Sequence, residues 1–407
     1  MPGRFLFTSA PLPGHLDWGG YLETAAHLSR SGHTVVWVSE ERIRPAVEAA
    51  GVTFTAVDAS GWQWPADPPP SEQDSSRLRF QRALDVALTE DAVAQATLNL
   101  LEVARPFKPD AIIGEPFIWA APIAAESLNV AYVAGGYPAT PPDRHPFTEP
   151  EREAAEAGAA RLRRLFDRFG VSGRNWPGGL SVWPLSPELH VVYWTREWYA
   201  DEANVGAQTQ FVGGLKSTAP VSAPGWFDRV PADAPLALIT LGSTFTDDPH
   251  FFVTAAHACV QAGLFPIIAM GRSERAPNLK QQLARRLPRC IAVSWVDYDY
   301  LFPRLSVVVH HGGMGTTHAA VVYGVPQVIV PHAADQGLQA RRAQASGVGL
   351  TVMPQEATLH VMRPAIEAVI RDPGFRIRAG HLSAEFARAG GAPAAASRIA
   401  ALARRIR

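Results

Sequence analysis

A chain of 407 residues is long for one hydrophobic core, and its length sets two domains as the expectation. With 37 Lys and Arg against 38 Asp and Glu, the formal charge is -1, so no basic face for nucleic acid is implied. Two cysteines, Cys259 and Cys290, cannot form a disulfide framework, and no run of eighteen apolar residues could span a membrane.

Met1-Pro-Gly-Arg leads straight into a strand with no signal peptide, so a soluble cytoplasmic protein is the default expectation. Apolar periodicity places strands over residues 4–9, 33–39 and 52–57, with helices over 17–30 and 41–50 between them. That alternation predicts a parallel, doubly wound sheet. A Pro- and Trp-rich loop covers 61–71, a helical tract runs to about 104, and strands over 111–113 and 130–134 flank a helix over 118–127. Residues 135–150 read as loop. Residues 151–169 read as an exposed helix with a solvated charged face, and 189–194 and 210–212 as closing strands.

Residues 213–235 mix Gly, Pro, Ser and Ala without periodicity and mark the linker between a domain over 1–212 and a second over 236–385. The second series of strands covers 236–241, 265–270, 291–295, 306–310 and 327–331. The basic tail is helical, and residues 386–407 are expected to pack back toward the first domain. Two α/β halves of this kind are expected to meet at a cleft facing the carboxyl ends of both sheets.

Residues 305–336 organise the chain. A β-branched strand (306–309) runs into His310-His311-Gly312-Gly313-Met314-Gly315-Thr316, then a helix to Tyr323, a stop at Gly324 and a second buried strand: one βαβ unit. A helix start carries unpaired N–H groups and the positive end of the dipole, and glycines let an anion approach them. The turn is either a diphosphate cradle or only a tight turn. Asp335-Gln336 pairs a carboxylate with a carboxamide, a match for vicinal sugar hydroxyls or else a charge at a helix start. His332 is within reach of the same place.

After the first strand the chain reads Ala10-Pro-Leu-Pro-Gly14-His15-Leu, without the Gly-x-Gly-x-x-Gly of a dinucleotide-binding fold. His15 lies at the carboxyl end of the sheet, where an imidazole is the usual base for a hydroxyl, although a lone histidine is more often structural. Nine of the eleven tryptophans precede residue 220; some are core, while others sit beside Pro and Gly in loops where a ring meets a ligand.

Taken together, His311-Gly-Gly-Met-Gly-Thr316, Pro326-Gln-Val-Ile-Val-Pro331 and Asp335-Gln336 resemble the UDP-glycosyltransferase superfamily, similar to bacterial natural-product glycosyltransferases that decorate macrolides and polyketides. The resemblance implies the GT-B fold: two Rossmann-like, doubly wound parallel-sheet α/β domains facing across a cleft. It implies that His311, Gly313, Met314, Gly315 and Thr316 hold the donor diphosphate, with Gly242, Ser243 and Thr244 as a second phosphate turn. Trp295 corresponds to the platform under the base, Val296 to its backbone contact, and Asp335 and Gln336 to the sugar clamp. His15 matches the general base. Glu115 stands where an aspartate usually orients that base, and either pairs with it or serves the acceptor. Trp18, Trp62, Trp64 and Trp119 are candidate acceptor walls.

One departure concerns the nucleoside. The resemblance calls for Trp-x-Pro-Gln, whereas this chain has Trp295-Val-Asp297-Tyr298, so the glutamine that contacts the nucleoside is replaced by tyrosine. Asp297-Tyr-Asp299 also spells a metal-binding Asp-x-Asp, but its place before a short helix explains the acids without a metal. No metal and no permanently bound cofactor are expected, because His311 and the helix start supply the positive field. The implied activity is inverting transfer from a UDP- or TDP-sugar to a hydrophobic or aromatic small molecule, by a monomer or homodimer. The alternatives are a sugar-nucleotide epimerase or hydrolase of the same fold, and a non-catalytic sugar-nucleotide-binding partner subunit.

Overall fold

The computed structural model describes residues 2–17, 19–63, 84–85, 88–140, 149–218, 220–242, 248–271, 280–281, 285, 289–332 and 335–406. The chain divides into two compact units. Unit 1 holds residues 1–193, 202–212 and 390–407, and unit 2 holds 194–201 and 213–389.

Unit 1 is built on seven strands: β1 (Arg4–Thr8), β2 (Thr34–Ser39), β3 (Thr53–Ala56), β4 (Ala111–Gly114), β5 (Ala131–Gly135), β6 (Leu189–Val192) and β7 (Thr209–Phe211). Their order is β3-β2-β1-β4-β5-β6-β7 and every pairing is parallel. Phe5, Leu6 and Phe7 of β1 are all 0 % exposed, as a strand covered on both faces requires. The order reverses between β1 and β4, and that reversal opens a crevice at their carboxyl ends. The Tyr21 hydroxyl ties the two strand ends together, 3.0 Å from the carbonyls of both Thr8 and Ile113.

Unit 2 repeats the plan with β8 (Leu236–Thr240), β9 (Phe265–Ala269), β10 (Ile291–Val293), β11 (Leu305–His310), β12 (Gln327–Ile329) and β13 (Gly349–Thr351). The order is β10-β9-β8-β11-β12-β13, again parallel throughout, with the reversal between β8 and β11. Residues 194–201 join this unit through their side chains. Trp198 Nε1 donates to Gln339 Oε1 at 3.0 Å, and Arg342 Nε donates to Asp201 at 3.0 Å.

Several elements differ from the sequence reading. The helix expected over 17–30 is two, Pro13–Asp17 and Tyr21–Arg30, because Gly19 and Gly20 adopt φ of 83° and 146° between them. Helix Glu149–Phe169 is not simply exposed: Ala154, Leu162 and Leu165 line a buried stripe in one core cluster with Leu88, Val93 and Ile123. β13 is a three-residue strand, too short to show a period. The last helix, Gly391–Ile406, is part of unit 1, where it packs on helix Tyr21–Arg30. Among the described residues no helix is long and apolar enough to cross a membrane.

Candidate active site

In unit 1, Thr8 at the end of β1 is in register with Gly114 at the end of β4. The chain leaves β1 into helix Pro13–Asp17, which carries His15, and leaves β4 directly into Glu115. The topological reversal therefore places side by side two residues a hundred positions apart. Glu115 is fully buried. One of its carboxylate oxygens accepts the Ala10 N–H, and the other lies 2.6 Å from His15 Nδ1. A carboxylate only accepts, so the imidazole carries its proton on Nδ1 and its basic lone pair on Nε2. The His15 side chain is 21 % exposed, open enough to meet a substrate.

Aromatic rings line the histidine. Trp62 lies 5.4 Å and Phe117 5.6 Å from its ring centroid, and Phe117 also meets Tyr137 at 6.4 Å and Trp183 at 5.7 Å. All four are half-buried. Phe117, Tyr137 and Trp183 were not among the residues singled out from sequence. Phe117 carried a signal in lying two residues after Glu115, and Trp183 in standing beside Pro184 as one of the nine early tryptophans.

In unit 2 the corresponding reversal sets Thr240 of β8 beside His310 of β11. His310 is a fully buried support for the turn. Its Nδ1 accepts the Gly312 N–H at 3.1 Å, and its Nε2 lies 2.9 Å from Gln327 Oε1. His311 follows, seated against two glycines: a Cβ on Gly242 would lie 2.8 Å from its ring, and one on Gly313 would lie 2.3 Å away. Burial, then the neighbouring His310 and His332, hold the His311 ring down at about 3, with a small opposing effect from the Thr240 carbonyl. His311 is therefore neutral near pH 7, and it offers a ring N–H rather than a charge. This corrects the expectation that His311 supplies part of a positive field.

Helix Met314–Tyr323 begins at Gly313 without a side-chain cap. The N–H groups of Met314, Gly315 and Thr316 belong to its first turn and have no intrahelical acceptor. Among the described residues, nothing outside its chain neighbours and its own helix backbone lies within 4 Å of where a Gly315 Cβ would be. Trp295 lies beyond the end of β10 rather than inside a strand, and it is 64 % exposed with its ring plane within 2° of that of Tyr298. Val296 is buried beside it.

The remaining expected donor residues are partly committed. Gln336 is 2 % exposed, and its Oε1 accepts the His332 N–H at 2.8 Å. His332 itself is held by the Val330 carbonyl at 2.7 Å and by Asp248 at 3.2 Å. Asp335 is half-buried at the start of helix Gln336–Ala345. Asp297 caps the short helix Tyr298–Leu301, and Asp299 accepts the Tyr323 hydroxyl at 2.6 Å. Both acids of the Asp-x-Asp are thus engaged in structure. Among the described residues no group of three or more His, Cys, Asp or Glu is placed to hold a metal ion.

Residues 275–402 match the C-terminal domain family of erythromycin biosynthesis protein CIII-like proteins. The chain is 29 % identical over 396 residues to the L-demethylnoviosyl transferase of Streptomyces niveus, covering 95 % of this chain and 94 % of that one. Its fold superimposes on the glycotransferase of kitacinnamycin with a TM-score of 0.78 at 22 % identity, covering 99 % of each chain. It matches glycosyltransferase VinC, solved in complex with DTDP, with a TM-score of 0.71 at 21 % identity, over 99 % of this chain and 100 % of that one. The chain has the GT-B fold, and the relatives it resembles over nearly its whole length are named as sugar transferases.

Within this fold one acceptor candidate is corrected. Trp119 is 1 % exposed, its Nε1 donates to the Val182 carbonyl at 2.6 Å, and its ring packs with Ile123 and Leu162, so it is core rather than a pocket wall. Of the other three, Trp62 stands beside His15, while Trp18 and Trp64 lie outside the described residues, as do Ser243 and Thr244.

Proposed function

We propose that this enzyme moves a sugar, with inversion, from a TDP- or UDP-sugar to a hydroxyl of a hydrophobic small molecule, with His15 as general base. The observation that carries the reading is the His15–Glu115 pair at the β1/β4 reversal, because it fixes which nitrogen can take a proton. His15 Nε2 removes the acceptor hydroxyl proton as that oxygen bonds to the anomeric carbon. The bond from that carbon to the diphosphate oxygen breaks on the opposite face. Glu115 stabilises the imidazolium that results.

The leaving diphosphate is received by the amides of Met314, Gly315 and Thr316 and by the His311 ring N–H. These are fixed dipoles that meet the growing charge without reorganising. Trp295 supplies an open face for the base, and Asp335 and Gln336, at the start of helix Gln336–Ala345, read sugar hydroxyls. Trp62 and Phe117 give the acceptor an apolar wall beside the base. The DTDP held by VinC and the sugar-transferase names of the relatives, such as aklavinone 7-beta-L-rhodosaminyltransferase of Streptomyces galilaeus, support a thymidine- or uridine-diphosphate sugar and an antibiotic-type acceptor.

The test is a panel of TDP- and UDP-sugars read first by thermal shift, since a bound donor stabilises the fold by mass action. Product formation with aromatic and macrolide acceptors follows, with the anomeric configuration read by NMR. Inversion relative to the donor is expected. Retention, or donor breakdown at full rate without any acceptor, would overturn the reading.

A further inference from the structure

We propose that Tyr298 is a positioning residue of the donor site that acts on the diphosphate through Thr316. This rests on the donor-site reading above and adds to it a residue that stands where the resemblance calls for a glutamine. The Tyr298 hydroxyl lies 2.9 Å from Thr316 Oγ1, and Thr316 is 5 % exposed in the first turn of helix Met314–Tyr323. A threonine in a helix commonly turns its hydroxyl back to the carbonyl four residues earlier. Thr317 does this, donating to the Gly313 carbonyl at 2.9 Å. Thr316 is paired with Tyr298 instead.

The direction of that bond follows from acidity. A phenol, with a pKa of about 10, is a stronger donor than an aliphatic hydroxyl, so Tyr298 donates and Thr316 accepts. The Thr316 proton is then directed to a further acceptor. A diphosphate offers acceptors only.

The phenol is held in place from three sides. Its ring packs 4.6 Å from Phe302 and lies parallel to Trp295 with centroids 6.5 Å apart. Its helix is fixed at the start by Asp297, which accepts from the Asp299 and Tyr300 N–H groups. Its neighbour Asp299 is anchored to Tyr323, at the far end of the helix that carries Thr316. Tyr298 therefore joins the base platform to the phosphate turn. In this chain position 298 orients a hydroxyl at the phosphate rather than serving the nucleoside directly.

The test compares wild type with Tyr298→Phe, Thr316→Val, Thr316→Ser and the Tyr298→Phe/Thr316→Val double variant. TDP and UDP binding are read by calorimetry and thymidine binding by ligand-observed NMR. Tyr298→Phe keeps the ring and should weaken TDP binding about 2–10-fold, the range for one neutral hydrogen bond, with thymidine binding and ligand-free melting unchanged. Thr316→Ser should bind TDP close to wild type. The double variant should lose no more than Thr316→Val alone, since both changes break one relay. A Tyr298→Phe protein that binds TDP like wild type, that loses thymidine in equal measure, or whose loss adds to that of Thr316→Val would overturn the inference alone. Wild type that binds neither TDP nor UDP would overturn the donor-site reading with it.

Discussion

His15 and His311 each sit just past a strand at the reversal of a parallel sheet, yet their surroundings differ in kind. His15 keeps a fifth of its side chain exposed and faces a buried carboxylate at 2.6 Å. His311 is almost fully buried between two glycines, with other histidines as neighbours, and its ring is held down at about 3. A carboxylate partner and partial solvation let an imidazole accept a proton and keep it. Burial without a carboxylate keeps it neutral and leaves only an N–H dipole. On the reading proposed above, the same fold feature, used twice, serves as a proton acceptor in one unit and a fixed hydrogen-bond donor in the other.

Removing each histidine separates the two roles. His15→Ala should cut turnover by about 10²–10⁴-fold, the usual worth of a positioned base, with TDP affinity little changed. Steady-state kinetics beside calorimetry measures this, and unchanged turnover would end the assignment. His311→Ala should instead weaken TDP binding by roughly 10–100-fold, the cost of one hydrogen bond to a charged group. His311→Gln, which keeps a neutral N–H, should recover part of that loss. Were Gln no better than Ala, the neutral-donor account of His311 would be wrong.

The smallest effect concerns stability in mild acid. His310 and His190 are also buried, each held down at about 4 chiefly by desolvation. Their folded values, like that of His311, lie below the value of about 6.5 expected in the unfolded chain. Between roughly pH 4 and 6.5 the unfolded state binds more protons, so stability rises with pH and is lost on acidification. From pH 7 to 6 the three together should cost on the order of 2 kcal/mol. Denaturant titrations at the two pH values test this, and His311→Gln should remove about a third of the pH effect.

Much of this was readable beforehand, for identifiable reasons. Strands buried on both faces, such as Val307–Val309, read as β-branched runs, and the glycines at 312, 313 and 315 show that backbone must approach something closely. His15 was legible on the segment that follows the first strand, and Glu115 as the residue just past a later one. What escaped was whatever depends on neighbours distant in sequence. Trp119 falls in the helix expected over 118–127, and only the elements packed against that helix decide that its ring turns inward. Phe117 and Trp183 meet only because separate elements bring them together. No spacing rule could give the protonation of His311, which is set by packing.

The threading of the chain through the two units has a practical consequence for hybrid enzymes. Joining the first 212 residues of one relative to the remainder of another looks natural from the linker composition. It would, however, supply Trp198 and Asp201 from one parent and their partners Gln339 and Arg342 from the other. It would also part the terminal helix Gly391–Ile406 from the helix Tyr21–Arg30 on which it packs. A fusion that exchanges one unit between relatives should carry 194–201 with the second unit and 390–406 with the first, so that each core keeps the pieces packed into it.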